Sequence, residues 1–206
     1  MDPSSFNQWV KDINQSTPGD VTVQQQLDDF MAALNLVPML LSFISSNELE
    51  SVSIFFALKM LTTRSNITEE ERIRMRTFFY TYVNEHVALI CKSNFIKELT
   101  LLFSRGFRDS LEEGVEYLIK LSDTDENGSI LAMGISKFLI EINESIKHLS
   151  FIIPIALKPI AMQSASVDLI SQSLDLLIEI LNSYKDGKNV AIHSDTLKAI
   201  FEMELS

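Results

Sequence analysis

One short segment of this sequence has the residue types and spacing of a calcium-binding loop. Asp123, Asp125 and Asn127 would supply oxygen ligands at positions 1, 3 and 5 of an EF-hand loop, and Gly128 follows where the tight turn is needed. Position 12, which should be a bidentate glutamate, is Gly134, so calcium affinity would be weak. The alternative is an Asx-rich turn that caps the following helix, and the incomplete ligand set favours that alternative.

A second segment with chemical interest is the charged run over residues 69–76, which mixes three glutamates with three arginines. Glu70 and Arg74 have the i, i+4 spacing and the orientation of a helical ion pair. One interpretation is a basic patch that, together with Arg64, binds an acidic partner. The other is a solvated helix face of mutual salt bridges, which the mixed signs favour.

The remaining reactive residue types form no catalytic or metal-binding pattern. His86, His148 and His193 are scattered without metal-ligand spacing, and Cys91 has no acid–base partner nearby in the sequence. No nucleophile-elbow, phosphate-loop or dinucleotide-binding motif occurs. We therefore expect no enzymatic activity, no cofactor and no metal site.

Composition narrows the class of protein further. The chain has 206 residues with 17 basic and 28 acidic side chains, a net charge of −11, which argues against nucleic-acid binding through bulk charge. Only 6 glycines and 5 prolines are present, too few for the turns of a β-sandwich or barrel. A single cysteine, no visible signal peptide and no uninterrupted apolar run of membrane length predict a soluble protein of the cytoplasm and/or nucleus, without membrane partners.

The elements that would position any site are predicted to be helices almost throughout. Residues 1–20 form a lead-in segment in which apolar residues have helical spacing. Its Trp9 either anchors this segment onto the first of the helix pairs described below or offers a free apolar contact. Ser46 is a plausible N-cap, and Thr68 with Glu71, like Ser110 with Glu113, has capping-box spacing. The predicted helices cover residues 23–34, 37–44, 47–63, 68–90, 94–107, 110–121, 130–148, 151–162 and 167–184, with a last one from about 195.

An internal period organises these helices. Four apolar cores end at Leu61, Phe103, Ile142 and Leu181, at intervals of 42, 39 and 39 residues, with one further helix between each pair. A helix pair every ~40 residues is typical of HEAT and armadillo repeats, whose neighbours stack into one continuous core. The pattern predicts an all-α protein in which residues 21–206 form an α-solenoid of four to five antiparallel helix pairs. A closed helical bundle is the alternative.

The residues that carry this pattern also resemble a known family. The stretches 24–34, 37–46 and 51–61, followed by residues 68–90 and 94–103, resemble the first repeats of importin-β-like karyopherins, in particular exportins. The resemblance is best over about residues 21–108. Members of that family are far longer, so the resemblance implies that this chain corresponds to their N-terminal region.

The resemblance also implies a function and a set of residues. It implies nuclear transport, with cargo and Ran in its GTP form as partners, and with Ran held by the second helices of the first repeats, here residues 47–63 and 94–107. The partner-binding residues expected on these helices are Lys59, Arg64, Lys97 and Arg105. The net charge would suit basic protein partners.

Two other classes of function stay open at this point. The chain could be a helical scaffold or adaptor in a larger assembly unrelated to transport, because the same fold serves many roles. A calcium sensor or a helical enzyme is the third class, and no constellation of residues supports an enzyme.

Overall fold

The protein is all-helical wherever its computed structural model describes it, which covers residues 1–17, 19–91, 95–141, 149–162 and 165–185. No strand occurs in these segments, as the scarcity of turn residues predicts. The helices are α1 Pro3–Gln15, α2 Val21–Met31, α3 Leu36–Ser45, α4 Ser51–Thr63, α5 Glu69–Phe78, α6 Val87–Cys91, α7 Ile96–Gly106, α8 Leu111–Ser122, α9 Glu126–Glu141, α10 Leu149–Ala161 and α11 Val167–Lys185, with a π-helical turn over Phe79–Val83.

The chain divides into two compact units. The first contains Met1–Val83 and Leu101–Gly106, and the second contains Asn84–Thr100 and Phe107–Ser206. Helix α7 therefore contributes its first residues to the second unit and its last residues to the first. The last part of the predicted helix 130–148, from residue 142, and the predicted helix from about 195 lie outside the described residues.

An aromatic cluster holds the lead-in helix α1 in the first unit. Phe6 is fully buried, and the ring of Trp9 lies 4.7 Å from Phe30 of α2 and 5.9 Å from Phe56 of α4, measured between centroids. Phe6 also lies 5.7 Å from Phe43 of α3. Aromatic pairs at such separations stabilise beyond the area that they bury. Of the two predicted roles of Trp9, the anchoring role is the one observed.

The helices that follow pack as neighbours in the first unit. Helix α3 packs against both α4 and α5, and α1 packs against α4. Gly106 at the end of α7 allows a close approach to α5, since a Cβ there would lie 3.1 Å from the Cβ of Met75. Leu40, Leu58 and Leu61 lie fully buried between these helices. Their apolar side chains supply most of the driving force for packing this unit.

Helix α4 begins later than the sequence predicts. The predicted helix starts at Asn47 with Ser46 as N-cap, whereas the observed one starts at Ser51 after Glu50. Asn47 has φ 58°, a left-handed conformation that asparagine tolerates better than most residues and that ends a helix. Ser46 instead closes α3, and its hydroxyl donates to the carbonyl oxygen of Phe43 at 2.8 Å. Residues 46–50 thus form the turn between the two helices.

The predicted helix over residues 68–90 is interrupted. It opens with the predicted capping box at Thr68 and then widens into the π-helical turn before α6. In this turn Phe79 is fully buried and packs edge-on against Phe103, with ring centroids 5.4 Å apart. Phe78 stacks on Tyr82 at 5.0 Å. The widened turn buries Phe78, Phe79 and Tyr82 together, a local irregularity that apolar periodicity does not reveal.

The second unit is built from two helix pairs that contact each other. Helix α8 packs against α9, α10 packs against α11, α8 packs against α10, and α9 packs against α11. Ser110 precedes α8 as predicted, but its side chain makes no capping hydrogen bond. The hydroxyl of Tyr117 donates to Asn84 Oδ1 at 3.0 Å, and Gly134 of α9 admits Ile96, whose Cγ2 would lie 3.1 Å from a Cβ at that glycine.

A helix that spans a membrane must be both long and apolar. No single described helix is both long enough and apolar enough to span one. Helices α2 and α3 reach that length and hydropathy only in combination, and they are bent by 95° relative to each other.

Candidate functional site

The four predicted partner-binding residues have two different environments. Lys59 of α4 and Lys97 of α7 are exposed, whereas Arg64 and Arg105 are half-buried and bonded within the first unit. Lys59, Arg64 and Arg105 belong to the first unit, and Lys97 belongs to the second.

Arg64 joins three segments of the first unit. Its Nη1 donates to the carbonyl oxygen of Ala33 at 3.1 Å, its Nε donates to Asn66 at 3.2 Å, and its Nη2 lies 3.3 Å from Glu71 Oε1. The side chain is 16% exposed and that of Glu71 is 9% exposed. The planar guanidinium offers several donors at fixed angles, so one side chain can connect the turn after α2, its own loop and the start of α5.

Glu71 has two roles in this junction. Its Oε2 accepts the backbone N–H of Thr68 at 2.8 Å, and its own N–H donates to Thr68 Oγ1 at 3.2 Å, which completes the capping box. Its other oxygen faces Arg64. Arg105 adds to the junction because its guanidinium donates to the carbonyl oxygen of Arg64. Both arginines therefore have structural contacts that the sequence did not indicate.

The exposed side of α4 carries a lysine among apolar side chains. Val52 is 57% exposed, Phe55 is 42% exposed and Lys59 is exposed, at positions i, i+3 and i+7 of one helix face. The opposite side, which includes Ala57 and Leu61, is buried. An exposed aromatic beside a cation, on a helix fixed by its buried side, offers a small rigid surface for a protein partner.

The charged run of α5 is a set of mutual ion pairs. Arg74 Nη2 lies 2.9 Å from Glu70 Oε1, the pair predicted from their spacing. Glu69 lies between two arginines, 2.9 Å from Arg76 Nη2 and 3.4 Å from Arg72 Nε. Because a glutamate accompanies each arginine of this run, the helix has the predicted salt-bridged face and no uncompensated basic patch.

The segment that resembles a calcium loop is a helix-capping turn. Asp125 Oδ1 accepts the N–H of Gly128 at 2.8 Å, and α9 begins directly after Asp125. Asp123 is bonded to Lys158 Nζ of α10. A Cβ on Gly128 would lie 2.3 Å from the carbonyl oxygen of Leu121, so close backbone approach rather than metal geometry requires this glycine. Of the two predicted roles of the segment, the structure has the cap.

The other titratable residues offer little chemistry. Within the described segments, no three His, Cys, Asp or Glu side chains come together as a metal site would require. His148 and His193 lie outside those segments. Burial and the nearby Asp125 carboxylate raise the pKa of the Cys91 thiol to about 11, and this thiol donates to the carbonyl oxygen of Asn127 at 3.2 Å. A protonated thiol is a poor nucleophile at neutral pH.

Two open grooves lie within the units. One, of about 310 Å³, lies between α3 and α5, and its lining residues are Pro38, Leu41, Ser42, Ser45, Arg74, Thr77, Phe78 and Thr81. The other, of about 170 Å³, lies between α9 and α11 and includes Lys137 and Asp175. Neither brings together a nucleophile, a base and an orienting group, as catalysis would require.

Helix α11 presents an apolar surface that sequence reasoning assigned to the core. Ile178 and Leu181 belong to the fourth predicted apolar core, yet they are 54% and 47% exposed, while Ile180 is buried. Leu174, one turn before Ile178, is 48% exposed. The signal in the sequence was the width of the apolar arc on this helix, which exceeds what one packing interface covers.

The chain matches no protein-family model, no curated protein and no solved structure.

Proposed function

We propose that this protein is a protein-binding α-helical repeat module, and that its partners are Ran in the GTP form and cargo, as in nuclear transport. The observation that carries the proposal is the exposed face of α4, where Val52 and Phe55 lie beside Lys59 on a helix whose opposite side is buried. Aromatic side chains with a neighbouring cation are the residue types that dominate the energy of protein interfaces.

The arrangement of helices is compatible with the repeat architecture. In the second unit, the pair α8–α9 contacts the pair α10–α11 through first helices and through second helices alike. In the first unit, α3 contacts α4 and also α5. Such neighbour-to-neighbour packing is what stacked helix pairs make, and a closed four-helix bundle would make the same contacts, so the choice of an α-solenoid rests on the ~40-residue period.

The resemblance of residues 21–108 to exportin-like karyopherins supports the choice of Ran. In that family Ran contacts the second helices of the first repeats, and the resemblance implies this role for α4. Because Arg64 and Arg105 are bonded within the first unit, the proposed contacts of that unit are Lys59 and Phe55, and Lys97 of the second unit is a separate proposed contact. A transport role would place the protein in the cytoplasm and nucleus.

The test is direct binding of the full chain to Ran loaded with a non-hydrolysable GTP analogue or with GDP. We expect preference for the GTP form, and the double variant Phe55→Ala/Lys59→Glu should lower the affinity at least about tenfold. The matched control is Lys120→Glu, a change of the same charge at an exposed position of α8. Equal binding of both nucleotide forms, or of neither, would remove Ran from the proposal.

A scaffold or adaptor unrelated to transport is the second candidate. It is favoured by the internal hydrogen bonds of Arg64 and Arg105, because two of the four cations predicted to bind Ran are used within the first unit. Under this alternative neither form of Ran binds, whereas the α4 face still binds another subunit. Loss of a copurifying subunit in the Phe55→Ala/Lys59→Glu variant, with retention in the Lys120→Glu variant, would support it.

A further inference from the structure

Helix α11 is apolar on two sides, and only one of them is covered. Leu169, Leu176 and Ile180 are at most 2% exposed, as expected for the side that packs against α9 and α10. The exposed apolar residues, which we call the α11 stripe, are Val167 at 82%, Leu174 at 48%, Ile178 at 54% and Leu181 at 47%. An exposed apolar row of this kind on a helix is a candidate interaction surface.

The spacing of the α11 stripe is that of a helix-binding seam. Its members are separated by seven, four and three residues, so they form one line along the helix. Such a line accepts the apolar face of a second helix laid alongside it, with anchors one and two turns apart.

An acidic row borders the α11 stripe. Asp168, Asp175 and Glu179 are separated by seven and four residues, so they form a second line next to the first. Asp168 and Asp175 are exposed and Glu179 is half-exposed. No lysine or arginine occurs between residues 167 and 184 of α11 itself, and the cation that lines a groove with a member of this row is Lys137 of α9, beside Asp175.

We propose that the α11 stripe binds an amphipathic helix of another protein, with leucine-like residues facing the stripe and lysines or arginines along the edge that faces the acidic row. Charge complementarity selects this partner, and burial of the stripe supplies most of the affinity. The proposal is independent of whether the α4 face binds Ran.

The charges of this chain disfavour the two other occupants. A second copy also carries a net charge of −11, which opposes self-association. The segment over residues 195–206 contains Asp195, Glu202 and Glu204 but a single lysine, Lys198, so it lacks the basic edge that the acidic row requires.

The test uses three synthetic helical peptides of about 15 residues, a length at which a helix becomes marginally stable alone. One has leucines on one face and lysines along one edge, the second replaces the lysines with glutamates, and the third keeps the lysines but replaces the leucines with serines. Binding to the full chain is measured by fluorescence anisotropy. We expect the first peptide to bind at least about tenfold more tightly than either other peptide.

Two variants of the protein locate the binding site. Leu174→Ser/Ile178→Asp should weaken binding of the lysine-edged peptide about 30-fold, because two half-exposed anchors are lost. Asp168→Lys/Asp175→Lys/Glu179→Lys, which leaves the stripe intact, should reverse the preference toward the glutamate-edged peptide. The matched control is Ile73→Asp, an apolar position of similar exposure (50%) on α5, which should bind as wild type does. Circular dichroism and Tm establish that each variant is folded.

Several results would overturn the proposal. One is equal binding of the lysine-edged peptide by the stripe variant and the wild type, and another is a charge-reversed variant that keeps the original preference. A more than tenfold gain in affinity in the full-length variant Leu197→Asp/Phe201→Asp would show that the chain's own last residues occupy the stripe. A dimer in sedimentation velocity that Ile178→Asp abolishes would show that a second copy does.

Discussion

Replacement of Arg64 is the sharpest test of the structure. The sequence predicts that Arg64 binds a partner, whereas in the structure it bonds to Ala33, Asn66 and Glu71, a set of contacts that we call the Arg64 clamp. Replacing it with methionine preserves length and apolar volume but removes every donor. The carboxylate of Glu71, 9% exposed, then keeps the N–H of Thr68 and loses its cation. The carbonyl oxygen of Ala33 loses its 3.1 Å donor as well.

The expected cost follows from these contacts. Removing one member of a fully buried ion pair costs about 3–5 kcal/mol, and partial exposure with a retained capping hydrogen bond lowers this to about 2–3 kcal/mol for Arg64→Met. Arg64→Lys keeps the charge and loses the planar fork, so we expect about 1 kcal/mol. In the cycle of Arg64→Met with Glu71→Gln, the double variant should be about 1–2 kcal/mol more stable than the sum of the single losses predicts.

Urea unfolding measures these differences. The single tryptophan, Trp9, lies in the same unit as the clamp, so its fluorescence reports that unit's unfolding. A change below about 0.5 kcal/mol for Arg64→Met, which is the size of an ordinary surface substitution, would refute the clamp. Strict additivity in the cycle would refute the pairing with Glu71. If the Arg64 side chain is structural, the folded Arg64→Met variant should bind the GTP form of Ran as tightly as wild type does. Weaker binding by a fully folded variant would instead support the predicted contact role of Arg64.

Three further outcomes are expected. Gly128→Ala should lower the free energy of unfolding by about 2–3 kcal/mol, because its Cβ would lie 2.3 Å from the carbonyl oxygen of Leu121. Gly134→Ala in the same helix should change it by less than about 1 kcal/mol. Urea unfolding followed by circular dichroism measures both, and equal losses would contradict the argument. Trp9→Leu should lower the free energy of unfolding by about 2 kcal/mol in the same assay, because contacts to three phenylalanine rings are lost. An unchanged unfolding midpoint would show that α1 is not anchored. Because the pKa of Cys91 is raised to about 11, its alkylation at pH 8 should be about 100-fold slower than that of a thiol of pKa 9.0. The alkylation rate should continue to rise up to pH 11. A rate that reaches its plateau at pH 9 would contradict the burial of this thiol.

The raised pKa of Cys91 also fixes the direction of a pH effect on stability. The unfolded thiol ionises near 9.0 and the folded one near 11. The folded state is therefore favoured by this group below pH 9, and that contribution is lost as the pH rises from 9 through 11. The variant Cys91→Ala should lack this part of the decline.

Local interactions are the part of this protein that sequence reasoning could predict. The capping box at Thr68, the ion pair of Glu70 with Arg74, and the capping role of Asp125 each join residues no more than four positions apart. Such contacts depend only on helix geometry and are fixed once a helix forms. Apolar periodicity is also a local property of the sequence, and it predicted the all-helical class and most helix limits.

Contacts between distant residues needed the tertiary structure. Arg64 bonds to Ala33, 31 positions earlier, and nothing near it in the sequence indicates whether its long side chain points to solvent or to that carbonyl. The late start of α4 depends on the left-handed Asn47, and the π-helical turn depends on aromatic packing against Phe103. These choices are made by neighbours that periodicity does not identify.

Composition and local spacing are sufficient to establish that this chain is helical, acidic and without a recognisable catalytic motif. Which apolar and charged side chains remain available to a partner depends on how the helices pack. A helix such as α11 carries apolar residues over a wide arc, and the arc does not state which part a neighbour covers. Burial of Leu176 and exposure of Ile178 follow from where α9 and α10 lie, which is a property of the packed chain.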